Sequence, residues 1–251
     1  MEVSDGIEII GELPALYLRR RRTLIIADTH IGFEEDMADK GFYIPRFQLR
    51  RTLDILDKAL NLVNIRSVVI AGDFKHIFDR LGRIERKELT EVLTYLLPRV
   101  DEVVVVRGNH DNYLPFLQRR YNFKLVNELQ LDDVLIVHGH RKLTEEQKKN
   151  STWNTLLIAH EHPSISLRDS IGTVGKFPCF LVGHLRDGRK IVTLPAVGIY
   201  QTGSKVTLSR DTYLSPILKD DVVIEDLRPI IVDEEVGVFE LPPLAELLDF
   251  M

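Results

Sequence analysis

The sequence predicts an α/β protein in which parallel strands alternate with helices in the first half and antiparallel strands dominate the second half. Amphipathic stretches of helical spacing separate the first apolar runs, and between residues 163 and 200 turn residues alternate with short β-like runs. Runs that are apolar throughout are typical of strands buried on both faces. Five such runs lie at residues 24–27, 67–71, 102–106, 134–137 and 155–159.

Two long helices follow from the periodicity of apolar residues. Residues 48–63 and 84–97 carry apolar side chains every three or four positions, and Pro98 ends the second stretch. Two strand-like runs precede these helices, at residues 7–10 and 15–18. We expect both runs to join the antiparallel sheet of the second half.

Three further segments have recognisable local signals. Residues 31–47 contain several aromatic side chains and an arginine, and we expect them to form a loop. Thr144 and Gln147 have the spacing of a capping box, which predicts a short helix. From residue 203 onward we expect short strands and a final helical turn at residues 244–250.

Length and charge bound the organisation of the chain. Its 251 residues suit one large domain or one domain with an appendage, and we predict a domain over residues 1–202 with an acidic C-terminal extension, residues 203–251, packed on it. The net charge is −5, but residues 205–251 hold 4 basic and 11 acidic residues (net −7), which leaves +2 for residues 1–204. The acidic extension therefore does not exclude a polyanionic substrate elsewhere on the chain.

The lengths of the apolar runs and the number of cysteines indicate the cellular location of the protein. No apolar run reaches the roughly 18 residues that span a bilayer, so we expect no membrane partner. Cys179 is the only cysteine, so no disulfide can form within the chain. Both observations predict a cytoplasmic protein.

Metal-binding side chains follow the five apolar runs. In α/β sheets the ligand site lies outside the carboxyl ends of the strands, so we expect these side chains to converge. We also expect extended backbone at the Asp-x-His and His-x-His segments, because side chains two apart then point the same way. The five segments are Asp28-Thr29-His30, Gly72-Asp73, Gly108-Asn109-His110-Asp111, His138-Gly139-His140 and His160-Glu161-His162.

This order of motifs resembles the calcineurin-like metallophosphoesterase superfamily, over about residues 22–200. The segment from Asp28 to Gly32, followed by Glu34 or Glu35, Gly41, Pro45 and Gln48, is more closely similar to the archaeal SbcD-related and the ligase-associated repair phosphoesterases. The resemblance implies a four-layer α/β/β/α sandwich, in which two mixed β-sheets are flanked by helices.

The resemblance also implies a dinuclear metal centre and its ligands. One ion would be held by Asp28, His30, Asp73 and His162, and the other by Asp73, Asn109, His138 and His160. His110 would protonate or stabilise the leaving oxygen, and Asp111 would orient its ring. Mixed oxygen and nitrogen donors suit Mn²⁺, which we expect, or Fe, Zn, Ni or Co. The expected reaction is hydrolysis of a phosphodiester by a hydroxide held between the ions.

Several side chains could bind the substrate, and alternatives stay open for them. Arg107, Arg141, His76 and His140 follow the strand ends. Tyr43 and Arg46 belong to the aromatic segment, whose apolar side chains could either stack on bases or anchor the segment to the core. The run Arg19–Arg22 is either a solvated turn or a nucleic-acid contact.

Three functions are compatible with these residues. Nucleic acid is the expected substrate, as in a DNA repair nuclease, and a homo-oligomer or a repair-protein partner stays open. The alternative is a small phosphodiester or phosphomonoester, such as a cyclic nucleotide or a nucleotide phosphate. A non-catalytic binding module is least expected, because none of the motif positions is replaced.

Overall fold

The computed structural model describes residues 1–168, 173–201 and 203–247. Two β-sheets pack face to face, and helices cover their outer faces. Alternate side chains of the strands, such as Ile25 and Val69 in one sheet and Ile136 and Leu157 in the other, form a buried core between the sheets. The predicted four-layer α/β/β/α architecture is therefore confirmed.

The first sheet contains seven strands in sequential order, and its strands β4 to β7 are parallel. Strands β1 to β4 pair antiparallel, so the amino-terminal runs join this sheet and our assignment of them to the other sheet was wrong. Only the four residues 19–22 connect β3 to β4. A connection this short allows the two strands to pair as antiparallel neighbours but is too short for a crossover to another sheet. The strands are β1 (Glu2–Ser4), β2 (Ile7–Ile9), β3 (Leu16–Leu18), β4 (Thr23–Ile26), β5 (Ser67–Ile70), β6 (Glu102–Val106) and β7 (Lys124–Val126).

The second sheet contains nine strands within the described ranges. Strands β9, β10 and β13 run parallel at its centre, and antiparallel strands flank them. Its order is β14-β11-β12-β13-β10-β9-β8, and β15 pairs with both β12 and β16. The strands are β8 (Glu128–Leu131), β9 (Val134–Val137), β10 (Thr155–Ile158), β11 (Pro163–Arg168), β12 (Thr173–His184), β13 (Lys190–Thr193), β14 (Ser204–Lys205), β15 (Arg228–Asp233) and β16 (Gly237–Glu240).

The helices differ in length between the two outer layers. The two predicted long helices, α2 and α3, cover the first sheet with side chains such as Leu56 and Leu93. Shorter helices and 3-10 turns cover the second sheet, and Thr144 and Gln147 form the predicted capping box of α5. The helices are α1 (Phe33–Asp39), α2 (Gln48–Leu62), α3 (Arg83–Leu96), α4 (Pro115–Gln118), α5 (Glu145–Lys149) and α6 (Pro216–Asp221).

The segment predicted as a loop at residues 31–47 instead begins with helix α1. Its buried residue Glu34 accepts hydrogen bonds from the backbone N–H groups of Phe47 and Gln48, at 3.0 and 2.8 Å. This carboxylate satisfies two donors at the start of α2, which have no partner within that helix. The contact fixes α1 against α2 and leaves residues 40–47 as the loop between them.

The C-terminal segment lies against the second sheet. Helix α6 buries Ile217 and Leu218 there, and β15 and β16 extend the sheet. The predicted final helical turn is a 3-10 turn at Leu244–Glu246, and residues 248–250 lie outside the described part of the chain. None of the described helices has the length and apolar character needed to cross a bilayer.

Glu88 on α3 gives a testable pH dependence of stability. Its side chain is 8% exposed, and burial together with the charge of Glu34 raises its pKa from 4.5 to about 7. The stability from its protonated form is therefore present below pH 4.5 and is lost as the pH rises through 7. We expect Glu88→Gln to be more stable than the parent at pH 8 by roughly 1–3 kcal/mol.

Thermal unfolding of parent and variant at pH 5 and pH 8 measures this effect. The difference between the two proteins should grow as the pH rises. Glu12→Gln, a substitution of an exposed glutamate that does not act on the Glu88 pKa, is the control and should leave the difference near zero. An unchanged difference for Glu88→Gln at the two pH values would contradict the assignment.

Candidate metal centre

The five metal-binding segments converge at the carboxyl ends of parallel strands from both sheets. Asp28 and Asp73 follow β4 and β5, and His138 and His160 follow β9 and β10. The backbone N–H of His160 donates to Asp28 Oδ2 at 3.0 Å, and Asp73 Oδ2 lies 3.4 Å from His138 Nε2. These contacts join the first sheet to the second, so the side chains form one cluster between them.

The predicted ligands form two groups around Asp73. Ligand atoms of Asp28, His30 and His162 lie within 4.8 Å of one another, and so do those of Asp73, His138 and His160. Asp73 Oδ2 lies 3.7 Å from His30 Nε2 in the first group and 3.4 Å from His138 Nε2 in its own. One carboxylate oxygen therefore lies between the two groups.

Asn109 lies beside the second group. Its Oδ1 is 3.3 Å from His138 Nε2. The amide oxygen can therefore supply a neutral ligand to the same ion as the imidazole.

The backbone at these residues is left-handed, not extended as we expected. The φ angles are 52° at Asp28, 44° at His30, 45° at Asp73, 67° at His160 and 47° at His162. They account for five of the seven non-glycine residues with positive φ in the described ranges, so the strain is concentrated here. Such residues cost of order 1–3 kcal/mol each and cluster at functional sites. The left-handed residues turn the chain sharply at the strand ends, which brings alternate side chains together without an extended segment.

Several buried polar atoms of the cluster fit a cation. Asp28 Oδ1, His30 Nε2 and His162 Nε2 have no hydrogen-bond partner among the described residues. His138 Nδ1 donates to the Ala71 carbonyl oxygen at 3.1 Å, which leaves its Nε2 lone pair facing the cluster. Unpaired buried acceptors are costly, and a divalent cation would satisfy them. Two carboxylates, four imidazoles and an amide oxygen suit first-row transition metals.

Burial and neighbouring charges shift the pKa values of the cluster in opposite directions. Burial lowers the pKa of His160 to about 4. Burial also acts to lower the pKa of His138, but the charges of Asp73 and Asp28 outweigh it and raise that pKa to about 9. The pKa of Asp73 is lowered, since the charge of His138 outweighs the effect of burial. The buried carboxylates therefore favour a cation at this position.

His110 lies at the edge of the cluster, but Asp111 does not orient its ring. His110 Nε2 is 4.0 Å from Asp73 Oδ2, and its side chain is 23% exposed. Its Nδ1 donates to the His76 carbonyl oxygen, which fixes the ring. The buried Asp111 instead accepts from the backbone N–H groups of Gly108 at 2.8 Å and Lys75 at 3.2 Å. Our expectation that Asp111 orients the His110 ring was therefore wrong. Its carboxylate instead joins two loops of the site by accepting hydrogen bonds from their backbone N–H groups.

Three of the predicted substrate-binding residues line one cavity. Arg107, Arg141 and His140 surround about 630 Å³ together with Asn109 and His138. The ring centroid of His140 lies 5.1 Å from that of His138. A phosphate near the second ligand group would therefore have cationic neighbours in this cavity.

The remaining substrate candidates lie on the other side of the cluster. His76 Nδ1 is 3.2 Å from His30 Nδ1, and its ring stacks on His110 with a centroid distance of 5.3 Å. Tyr43, which is 89% exposed, and the exposed Arg46 lie in the loop between α1 and α2, outside both ligand groups.

Two charged residues beside the motifs have structural positions. Glu161 accepts from the backbone N–H groups of Leu214 at 2.8 Å and Ser215 at 2.7 Å, so its carboxylate faces the C-terminal segment. Lys75 is buried and donates to the carbonyl oxygens of Ile77 and His110. Backbone groups therefore bind both charged side chains. The sequence shows only that each of these charged residues lies in or next to a metal-binding segment, and it does not show their hydrogen-bond partners.

Gly108 is required by the packing around Asp73. A Cβ at residue 108 would lie 2.0 Å from Asp73 Oδ1 and 2.4 Å from its backbone nitrogen. We expect Gly108→Ala to displace Asp73 and to lower bound metal and hydrolysis together, while the fold is retained. Elemental analysis and circular dichroism measure these effects.

Gly41 offers the matched control for this substitution. A Cβ there would meet no atom within 4 Å, although its φ of 86° makes alanine strained. Gly41→Ala should therefore keep its metal and its activity. If Gly108→Ala also kept both, the close approach of Gly108 to Asp73 would not constrain the site.

Comparisons with known proteins identify the family of the chain. Residues 21–190 match the family described as Calcineurin-like phosphoesterase. The structure of the nuclease MPE from Pseudomonas putida is 23% identical, with a TM-score of 0.61, and the alignment covers 91% of this chain and 93% of that one. A metallophosphoesterase from Sphaerobacter thermophilus is 14% identical, with a TM-score of 0.38 and 88% coverage of both chains. No curated protein matches the sequence. Because the family match spans more than half of its length, the chain belongs to the calcineurin-like phosphoesterases and is a metal-dependent phosphoric ester hydrolase.

Proposed function

We propose that this protein is a dinuclear phosphodiesterase that cleaves nucleic acid. The observation that carries the dinuclear assignment is the position of Asp73 Oδ2 between the two ligand groups, 3.7 Å from His30 Nε2 and 3.4 Å from His138 Nε2. Two divalent ions in such a centre would supply an activated water and neutralise charge on the phosphate.

The ligand roles follow from the two groups. Asp28, His30 and His162 would hold one ion, and His138 and His160 would hold the other. Asp73 would contribute to both sets, and Asn109 would complete the second. We propose Mn²⁺ as the native metal, because carboxylate, amide and imidazole donors are mixed.

His110 is suited to act on the leaving oxygen. Its Nδ1 proton is committed to the His76 carbonyl, so Nε2 is the nitrogen that can exchange a proton with substrate. Partial exposure gives that nitrogen access to a bound ester, while the fixed ring limits its movement. Arg107, Arg141 and His140 would bind phosphate oxygens in the neighbouring cavity.

The loop between α1 and α2 supports a nucleic-acid substrate. It presents Tyr43 to solvent, next to Arg46, and unpaired bases can stack on such aromatic side chains. Tyr200 holds the loop by donating its phenol hydrogen to the Pro45 carbonyl oxygen. Phe33 stacks on Tyr200 at 5.0 Å and lies 4.8 Å from the His76 ring, so aromatic contacts run from the loop to the centre.

The basic run at residues 19–22 does not contribute to this proposal. Arg20 pairs with Asp5 at 2.6 Å, and Arg21 pairs with Asp132. The run precedes β4, whereas the metal centre follows β4, so the two lie at opposite ends of the strand.

The finer assignments stay predictions. We propose that the protein is related to the SbcD-type and ligase-associated phosphoesterases, that residues 203–251 belong to the same domain, and that the protein is cytoplasmic. The name of the Pseudomonas putida enzyme agrees with a nuclease, but at 23% identity that likeness establishes only the fold.

A matched set of substrates tests the proposal. Purified protein with Mn²⁺ should hydrolyse bis-p-nitrophenyl phosphate and should cleave single-stranded or duplex DNA faster than cyclic nucleotides or a phosphomonoester. Tyr43→Ala should raise KM for the nucleic acid and leave the small ester unaffected. Preference for a cyclic nucleotide or a monoester would favour the small-molecule alternative. If the protein hydrolysed none of these substrates with any divalent ion, the proposed phosphodiesterase activity would be disproved.

A further inference from the structure

A basic cavity of about 640 Å³ lies between α3 and the segment that contains α4, outside the metal centre. Arg83, Arg86 and Lys87 line it from α3, and Arg120 lines it from the end of the opposite segment. Among the described residues, no acidic side chain contributes to its lining. We call this region the α3–α4 cavity.

The cations of the α3–α4 cavity are unpaired. Within the described ranges, none of its four basic side chains forms an ion pair or a side-chain hydrogen bond. Elsewhere on the surface, Arg20 and Arg66 pair with carboxylates at 2.6 and 2.8 Å. Gathering unpaired like charges on one face raises the local potential, which a polyanion would lower. The cavity is therefore complementary to a ligand with several negative charges.

Aromatic rings accompany these cations. Tyr113 and Phe116 stack with centroids 6.3 Å apart and an interplanar angle of 19°, and Phe116 is 57% exposed. The guanidinium of Arg119 lies 5.8 Å from the Phe116 ring centroid. Flat exposed rings beside phosphate-binding cations suit unpaired bases, whereas a duplex hides its base faces. An acidic protein would use the charges but gains less from the stacked rings.

The α3–α4 cavity adjoins the metal centre through one loop. Tyr113 ends the 3-10 turn that begins at Asp111, directly after His110. Phe78, which is 56% exposed, lies 5.5 Å from the His110 ring and also lines the cavity that contains Asn109. Because Tyr113 lines the α3–α4 cavity only three residues after His110, a strand bound there can extend towards the centre.

We propose that the α3–α4 cavity is a second binding site for single-stranded nucleic acid, which holds the strand at nucleotides away from the cleaved bond. This inference rests on the proposed nuclease function and adds the site that favours long substrates. Its residues bind and do not take part in the chemistry. Affinity for a strand should therefore rise with length, while hydrolysis of a small ester is independent of the cavity.

The double substitution Arg86→Glu and Lys87→Glu tests the proposal. Its KM for a single-stranded oligonucleotide of about 20 nucleotides should rise at least tenfold, since phosphate contacts dominate such binding. The log–log slope of affinity against salt should fall by about 1.4, from roughly 0.7 for each lost phosphate contact. Kinetics with bis-p-nitrophenyl phosphate and Mn²⁺ should be unchanged. Phe116→Ala should weaken strand binding about fivefold or more without changing the salt slope.

The control is Lys149→Glu with Lys190→Glu, which alters the net charge equally at two exposed positions, in α5 and in β13 of the second sheet, whereas α3 covers the first sheet. It should stay within about twofold of the parent, since exposed charges this distant are screened. Equal effects of both double variants, or none with Arg86→Glu and Lys87→Glu, would overturn the proposal. So would polyglutamate of similar length binding the parent as tightly as the oligonucleotide.

Failure of the nuclease function gives a different result. A parent protein that hydrolyses the small ester but cleaves no nucleic acid would disprove the proposed substrate. Fluorescence anisotropy with a labelled oligonucleotide and the Mn²⁺-loaded protein would then still decide whether the α3–α4 cavity binds a strand.

Discussion

Replacing Asp73 with asparagine should remove both metal ions together and lower phosphodiester hydrolysis by at least about 10³-fold, because a water that no metal binds is a much weaker acid and supplies little hydroxide at neutral pH. Asp73 Oδ2 lies between the two ligand groups, so its charge serves both. Asparagine keeps the shape and can still accept from the His110 backbone N–H, which bonds Asp73 Oδ1 at 3.0 Å. The loss should therefore arise from the missing charge rather than from a collapsed loop. Elemental analysis and steady-state kinetics measure the two effects.

The control for this substitution is Asp79→Asn. Asp79 is an exposed carboxylate on the same connection between β5 and α3, and its change should leave metal content and activity intact. A titration of Asp73→Asn that loses one ion while the other binds at parental affinity would contradict a shared bridge. Circular dichroism of the apoproteins confirms that both variants are folded.

Replacing His110 with alanine should keep both ions but lower kcat by about 10²–10⁴-fold, the usual contribution of a general acid. Its ring lies at the edge of the cluster, with Nε2 4.0 Å from Asp73 Oδ2 and Nδ1 tied to the His76 carbonyl. If His110 protonates the leaving oxygen, the defect should depend on the leaving group. It should be large for a nucleic acid and small for bis-p-nitrophenyl phosphate, whose leaving phenolate needs no proton.

The matched control is His184→Ala, which removes an exposed histidine from β12. It should change neither substrate. Equal defects of His110→Ala on both substrates, together with loss of metal, would show that His110 is a ligand instead. That outcome would match the close grouping of His30, His76 and His110 nitrogens.

The strand ends were predictable because their pattern is local. A buried parallel strand is apolar throughout, so the first polar residue after it marks the end where ligands collect. The sequence therefore indicated Asp28, Asp73 and His138, which the structure brings together. The helices α2 and α3 were predictable within one residue for the same reason, since their apolar spacing is regular.

Other features depended on contacts that sequence patterns do not show. The partners of Glu161 lie 53 and 54 residues further along the chain. Asp111 accepts hydrogen bonds from backbone N–H groups of two loops, and such contacts cannot be predicted from residue types because every loop has backbone N–H groups. The left-handed backbone at His30 and His160 also escaped prediction, because histidine adopts positive φ too rarely for its presence alone to indicate it.

The left-handed backbone at the predicted metal ligands affects how substitutions there change the stability of the protein. His160 is half-buried with a φ of 67°, a region that glycine enters freely and other residues do not. Between two variants that both lack the imidazole, His160→Gly should therefore be more stable than His160→Ala by about 1 kcal/mol, the reverse of the order in a helix. A variant without the imidazole therefore retains more stability when glycine, rather than alanine, occupies position 160.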